Sequence, residues 1–113
     1  MSYFDAFLIP VPDKAKYLQM QPGWAQYCKS LGASRVVDLW GDDVPDGKLT
    51  SFPMAVKLEP GETVLLSWIE WPDKAARDAG NARMRDDPAM ATMEMPFDGK
   101  RMIFGGFSML NAG

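Results

Sequence analysis

A single carboxylate, Glu70, stands among tryptophans in the apolar run Val64 to Trp71, "VLLSWIEW". Successive side chains of an extended chain alternate faces, so Trp68 and Glu70 share one face and Ile69 and Trp71 the other. Aromatic neighbours strip hydration from a carboxylate, disfavour its charged form and push it toward the range of a general base. The competing reading is an ion pair with Arg35, Arg77 or Arg101 that holds sheet to helix, a frequent setting for perturbed carboxylates. Asp38 in "SRVVDLWG" and Asp5 in "YFDAFLIPV" pose the same problem, because an unpaired charge in an apolar strand is costly. Each needs a partner, for which Arg35 and Arg101 are the expected choices, or a wet cleft. Glu70, Asp38 and Arg101 are therefore the candidate catalytic or anchoring groups. Tyr3, Trp40, Trp68 and Phe104, with Phe107, are the candidate walls of a pocket for a planar organic ligand, against the plainer reading that strand aromatics form core.

A second group is Asp42, Asp43 and Asp46 in "WGDDVPDGK". Three carboxylates suggest calcium or magnesium, yet the alternating spacing and terminal Glu of a calcium loop are missing. Pro45-Asp46-Gly47 instead supplies turn chemistry: Pro fixes φ, Asp bonds local backbone and Gly accepts positive φ. Asp98-Gly99-Lys100 repeats the solution before the last strand. No metal site is expected. The chain contains no histidine, which removes imidazole-ligated metals, Ser-His-Asp and Cys-His nucleophiles and histidine bases. One cysteine, Cys28, excludes an intramolecular disulfide and is expected to behave as a small buried hydrophobe. No cofactor is implied.

These residues need elements to hold them. Tyr3 to Val11 is aromatic and β-branched and reads as a strand, apolar on both faces. Asp13 follows as an N-cap, and Tyr17, Met20, Trp24, Tyr27, Cys28 and Leu31 recur at helical spacing up to Gly32 in the C′ position. Pro22-Gly23 interrupts this pattern, so one bent helix or two pieces are expected. Ser34 to Gly41 is a second strand, followed by a less regular extended stretch through Lys57. Val64 to Trp71 is a third strand. Pro72 opens a second helix with Asp73 in its first turn and Arg77 one turn on, and Gly80 leaves a flat face that can approach a sheet. Pro88 to Glu94 reads as a short helical turn and Arg101 to Leu110 as the last strand, where Gly105-Gly106 points to a bulge or to close approach of another group. Met84, Met90, Met93, Met95 and Met102 are expected to be pliable filler.

The order strand, helix, strand, strand, helix, strand is the ferredoxin-like βαββαβ pattern, an α+β domain with a four-stranded antiparallel sheet and both helices on one face. At 113 residues the chain is expected to form one domain, residues 1–113. The strands are apolar on both faces and the helices cover one, so a homodimer packing sheet on sheet is expected. A net charge of −3 with scattered Lys and Arg argues against nucleic acid as partner. No run approaches the ~18 apolar residues of a membrane span, and a lone cysteine suits a reducing compartment, so a cytoplasmic location without membrane partners is expected.

The runs "SRVVDLWGDDVPDGK", "VLLSWIEWPDKAARDAGNARM" and "MPFDGKRMIFGGF" resemble the YbaA-like family of uncharacterised small bacterial proteins, assigned to the dimeric α/β barrel superfamily. "LQMQPGWAQ" departs from the family's uninterrupted charged first helix. The resemblance implies a ferredoxin-like protomer in a two-fold dimer and carries no established reaction, since related barrels include cofactor-free monooxygenases, isomerases, haem enzymes and stress-related proteins. Three functions remain in view: a protein binding a small hydrophobic or aromatic molecule between sheet and helices, a cofactor-free monooxygenase or isomerase, and a non-enzymatic stress-related interaction domain. The first two require a pocket holding an unpaired carboxylate or arginine. The third gains if the loop Asp42 to Lys48 projects to solvent.

Overall fold

A computed structural model describes residues 1–113. The chain forms β1 (Tyr3–Val11), α1 (Lys14–Ser30), β2 (Arg35–Trp40), α2 (Phe52–Ala55), β3 (Thr63–Trp71), α3 (Lys74–Asp86), α4 (Pro88–Ala91) and β4 (Ile103–Ser108). The strands make one sheet in the order β2-β3-β1-β4, antiparallel throughout. This is an α+β architecture with a four-stranded antiparallel sheet.

Register decides which face each residue takes. Asp5 pairs with Ile69 and Gly106, Phe7 with Ser67 and Phe104, and Asp38 with Ser67. The odd positions of β1 and β3 and the even positions of β2 and β4 therefore share one face. Over it, α1 contacts β2 and α3 contacts β1 and β3. Cys28, Leu31, Ala33, Ile69 and Trp71 form the central core beneath the helices. On the other face Val56 packs onto Leu8 and Val64 at one end of the sheet, while Leu39, Ile103 and Phe107 stay exposed.

The helices start and stop for local reasons. The Asp13 carboxylate accepts the Lys16 N–H, and Gly32 closes α1 at φ 111°. Despite Pro22, α1 is one helical span and not two pieces. Asp73 is the N-cap of α3, with its side chain accepting the Ala76 N–H, so it sits just outside the first turn. Gly80 is where α3 meets the sheet: a Cβ there would fall 2.5 Å from the ring of Trp71. Gly105 and Gly106 pair regularly with Ala6 and Asp5, so no bulge forms. Close approach is the reason for Gly106, where a Cβ would meet the Tyr3 hydroxyl at 2.5 Å and Arg77 at 2.7 Å. The stretch expected to be extended before Lys57 contains α2, capped by the Ser51 side chain.

Candidate functional site: a cleft between the sheet and its helices

The two long helices lie on one face of the sheet and leave a cleft of ≈ 620 Å³ above β1 and β3, closed on one side by residues 95–102. The volume falls within the range of pockets that take small organic ligands. Its walls are mostly apolar: Phe7, Ile9 and Ile69 from the sheet, Trp24 from α1, Met84 from α3, and Phe97. Met20, Met95 and Met102 complete them. Unbranched thioethers line a cavity without fixing its shape, so these walls can adjust to an occupant.

Polar groups gather at one end. Asp5, 6% exposed, accepts from Trp71 Nε1 at 3.0 Å and from Asn81 Nδ2 at 3.4 Å, and pairs with Arg77 at 2.9 Å. Arg77 also reaches Asp78 at 3.0 Å and lies over the Tyr3 ring, 5.2 Å from its centroid. The Asp5 carboxylate, with Asp78 beside it, raises the already high pKa of the Arg77 guanidinium. The buried charge of Asp5 thus meets three donors, the condition under which a buried ion is tolerated. Its partner is Arg77, not Arg35 or Arg101.

Tyr17 and Asp38 form a second polar pair, where the cleft adjoins a smaller recess of ≈ 260 Å³. The Tyr17 hydroxyl donates to Asp38 Oδ1 at 2.7 Å. Burial, then that bond and the charge of Asp38, push the Tyr17 phenol far up from its ordinary value. Asp38 Oδ2 is buried with no hydrogen-bond donor. Burial likewise pushes the Cys28 thiol up to about 12, which makes it a core residue and not a nucleophile.

Most of the other sequence-derived residues lie outside this cleft. Phe104 lines it, and Tyr3 stands behind Arg77. Trp40 lines the smaller recess, where the Lys14 ammonium lies 5.4 Å from its ring centroid. Trp68 and Glu70 belong to the opposite sheet face, so Trp68 is not a wall of the cleft. Glu70 pairs with Arg35 at 3.0 Å and accepts from the Ser2 hydroxyl, the ion pair foreseen as the alternative to a base. Arg101 is a clamp: it binds Glu62 at 2.6 Å, Asp98 at 3.0 Å and the Lys57 carbonyl at 3.1 Å, tying residues 57–62 to the start of β4. The pairing holds the Glu62 and Asp98 carboxyls below their ordinary values.

Asp42, Asp43 and Asp46 are exposed on a loop in which Gly47 takes φ 66°. The Asp98 side chain accepts the Lys100 N–H, a turn as expected. No group of three or more His, Cys, Asp or Glu side chains is placed to hold a metal ion, and no helix is long and apolar enough to cross a membrane. Sequence reasoning missed the convergence of Asp5, Arg77 and Asn81. A signal was present in Arg77, Asn81 and Arg85, polar residues four apart on an otherwise Ala-rich helix.

Fold and site together define a small α+β protein with one apolar cleft between sheet and helices, polar at its inner end. A model of the family described as protein of unknown function (DUF1428) matches residues 2–99. Two relatives, both named "Uncharacterized protein YbaA", are 50% identical to it, over 97% of this chain and 97% of theirs: one from Escherichia coli K12, one from Shigella flexneri. The chain belongs to this family of YbaA-like proteins, whose function is unknown.

Proposed function

We propose that the protein binds a small, largely apolar organic molecule in the cleft between the sheet and α1 and α3. The observation that carries this reading is the cleft itself, ≈ 620 Å³ in volume, with apolar walls and a cluster of oriented polar groups at one end. The test is a thermal-shift screen with aromatic acids, quinones and haem. A ligand held only by the native state raises its stability, by about 2.7 kcal/mol at a hundredfold excess over Kd. Met84→Trp, which places a bulky ring in the cleft wall, should abolish the shift while leaving the fold intact by circular dichroism. No shift with any class overturns the reading.

The strand order β2-β3-β1-β4, with α1 and α3 on one face, supports a ferredoxin-like protomer. The apolar residues left on its other face support a homodimer in which two sheets pack as a dimeric α/β barrel. The buried thiol of Cys28 is at ease in a reducing compartment and supports a cytoplasmic location.

A second reading, a cofactor-free isomerase or monooxygenase, draws on Asp38. Its Oδ2 lacks a donor while Oδ1 is held by Tyr17, which leaves one carboxylate oxygen uncommitted beside the smaller recess that adjoins the cleft. Here Asp38→Asn would remove turnover of a converted ligand without removing its binding.

A further inference from the structure

Resting on the cleft reading above, we infer that the cleft selects a monoanion: a ligand with an apolar body and one carboxylate at its outer end, held by Arg85. The argument starts from α3. Arg77, Asn81 and Arg85 are spaced four apart and all line the cleft. Residues at this spacing stack along one helix face. At 1.5 Å per residue the row from Arg77 to Arg85 is about 12 Å long.

The three rungs differ in what they offer. Arg77 is neutralised by Asp5 at 2.9 Å and Asp78 at 3.0 Å. Asn81 is uncharged and directs its amide nitrogen to Asp5 at 3.4 Å. Arg85 has only the neighbouring Asp86, at 3.8 Å, and both side chains are more than 70% exposed. Such a pair contributes little and is readily exchanged for a better one.

The remaining walls add no charge. Of the charged residues lining the cleft, Asp5 and Arg77 cancel, and Arg85 is the third. From α1 the titratable group is the neutral Tyr17, and residues 95–102 present Met95, Phe97, Gly99 and Met102. The lining therefore carries one positive charge beyond the inner ion pair, met only by the weak surface contact with Asp86 and set at the far end of an apolar trough. One arginine matches a carboxylate through a two-pronged hydrogen bond and leaves a phosphate dianion half compensated. A cation in the last turn also complements the helix dipole, but Arg83 stands in that turn too and does not line the cleft.

The test uses two pairs of probes that differ only in charge, 2-naphthoate against 2-naphthamide and decanoate against decanamide, measured by calorimetry with the wild-type chain and with Arg85→Gln and Arg85→Lys. A contact to a largely exposed guanidinium predicts that the carboxylate of at least one pair binds wild type about threefold or more tightly than its amide. Arg85→Gln should remove that preference and leave amide binding unchanged, Arg85→Lys should retain part of it, and added salt should weaken it. Equal binding of acid and amide, or a preference that survives Arg85→Gln, overturns the inference and leaves the cleft reading standing. Absence of binding by both pairs overturns the inference together with the cleft reading for such bodies.

Discussion

At the scale of single residues, the charges of this chain are mostly committed to one another across long stretches of sequence. Arg101 gathers Glu62, Asp98 and Glu59 around one guanidinium, and its side chain and that of Glu62 are largely buried. The pairing has a pH signature. Arg101 holds the Glu62 carboxyl below its ordinary value of 4.5, so the folded state binds this proton less readily than the unfolded one. The stabilisation is fully present above about pH 4.5 and is lost as pH falls through the lower folded value. Glu62→Gln should therefore lower the melting temperature at pH 7 and converge with wild type as pH falls below that lowered value, as read from thermal melts across pH. A constant difference across that range would show that the pair acts through packing alone. The sequence could state that Asp5, Asp38 and Glu70 need partners but not which, because partner choice is set by register and helix placement. Glu70 meets Arg35 directly across β2 and β3, whereas Asp5 meets a residue 72 positions away. Likewise Trp68 and Trp40 look alike as strand aromatics, and only the sheet decides that they face opposite sides.

At the scale of elements, the strands and both long helices were legible because their apolar periodicity, caps and terminal glycines agree with one another. The exceptions have local causes. Pro22 lacks a donor and so weakens one turn, yet the residues before and after it present Tyr17, Met20 and Trp24 to the same cleft, and the helix runs on. The helix α2 is four residues long and shows no periodicity; its signal is Ser51 ahead of Pro53, an N-cap before a proline in the first turn. Gly80 carries the clearest element-scale prediction. In a free helix Gly→Ala is stabilising by up to about 1 kcal/mol. Here the added methyl would lie 2.5 Å from a tryptophan ring that is 0% exposed and 3.1 Å from the Leu31 carbonyl, neither of which has room to retreat. Gly80→Ala should therefore destabilise the fold by about 1–3 kcal/mol in chemical denaturation and shift α3, narrowing or widening the cleft. A neutral or stabilising result would mean that α3 sits less tightly on Trp71 than the geometry indicates.

At the scale of the whole molecule, the chain is a slab, 38 × 38 × 20 Å, with a radius of gyration of 14.7 Å. A compact domain of this length has a radius near 13 Å, so the molecule is one sheet with helices on one side and too little on the other. The uncovered side holds Phe107 at 59%, Phe52 at 52%, Ile103 at 46% and Leu39 at 45% exposure. Apolar positions on both sides of the strands were evident in the sequence, since Leu8, Leu66 and Ile103 alternate with Ile9, Leu65 and Phe104. The proposed homodimer rests on a second copy covering this side. A stable interface buries about 800 Å² per partner, an area that a four-stranded face can supply. If a second copy covers this face, wild type sediments as a dimer at micromolar concentration and its melting temperature rises with protein concentration. Phe107→Glu adds a charge at a position already solvated in the single chain, so the protomer should keep its secondary structure while the dimer dissociates, because a charge buried without a partner in the joined sheets is costly. Ile103→Lys makes the same test on the neighbouring part of β4. A wild-type chain that sediments as a monomer would overturn the homodimer, and a Phe107→Glu variant that remains a dimer would show that the two copies join through another face.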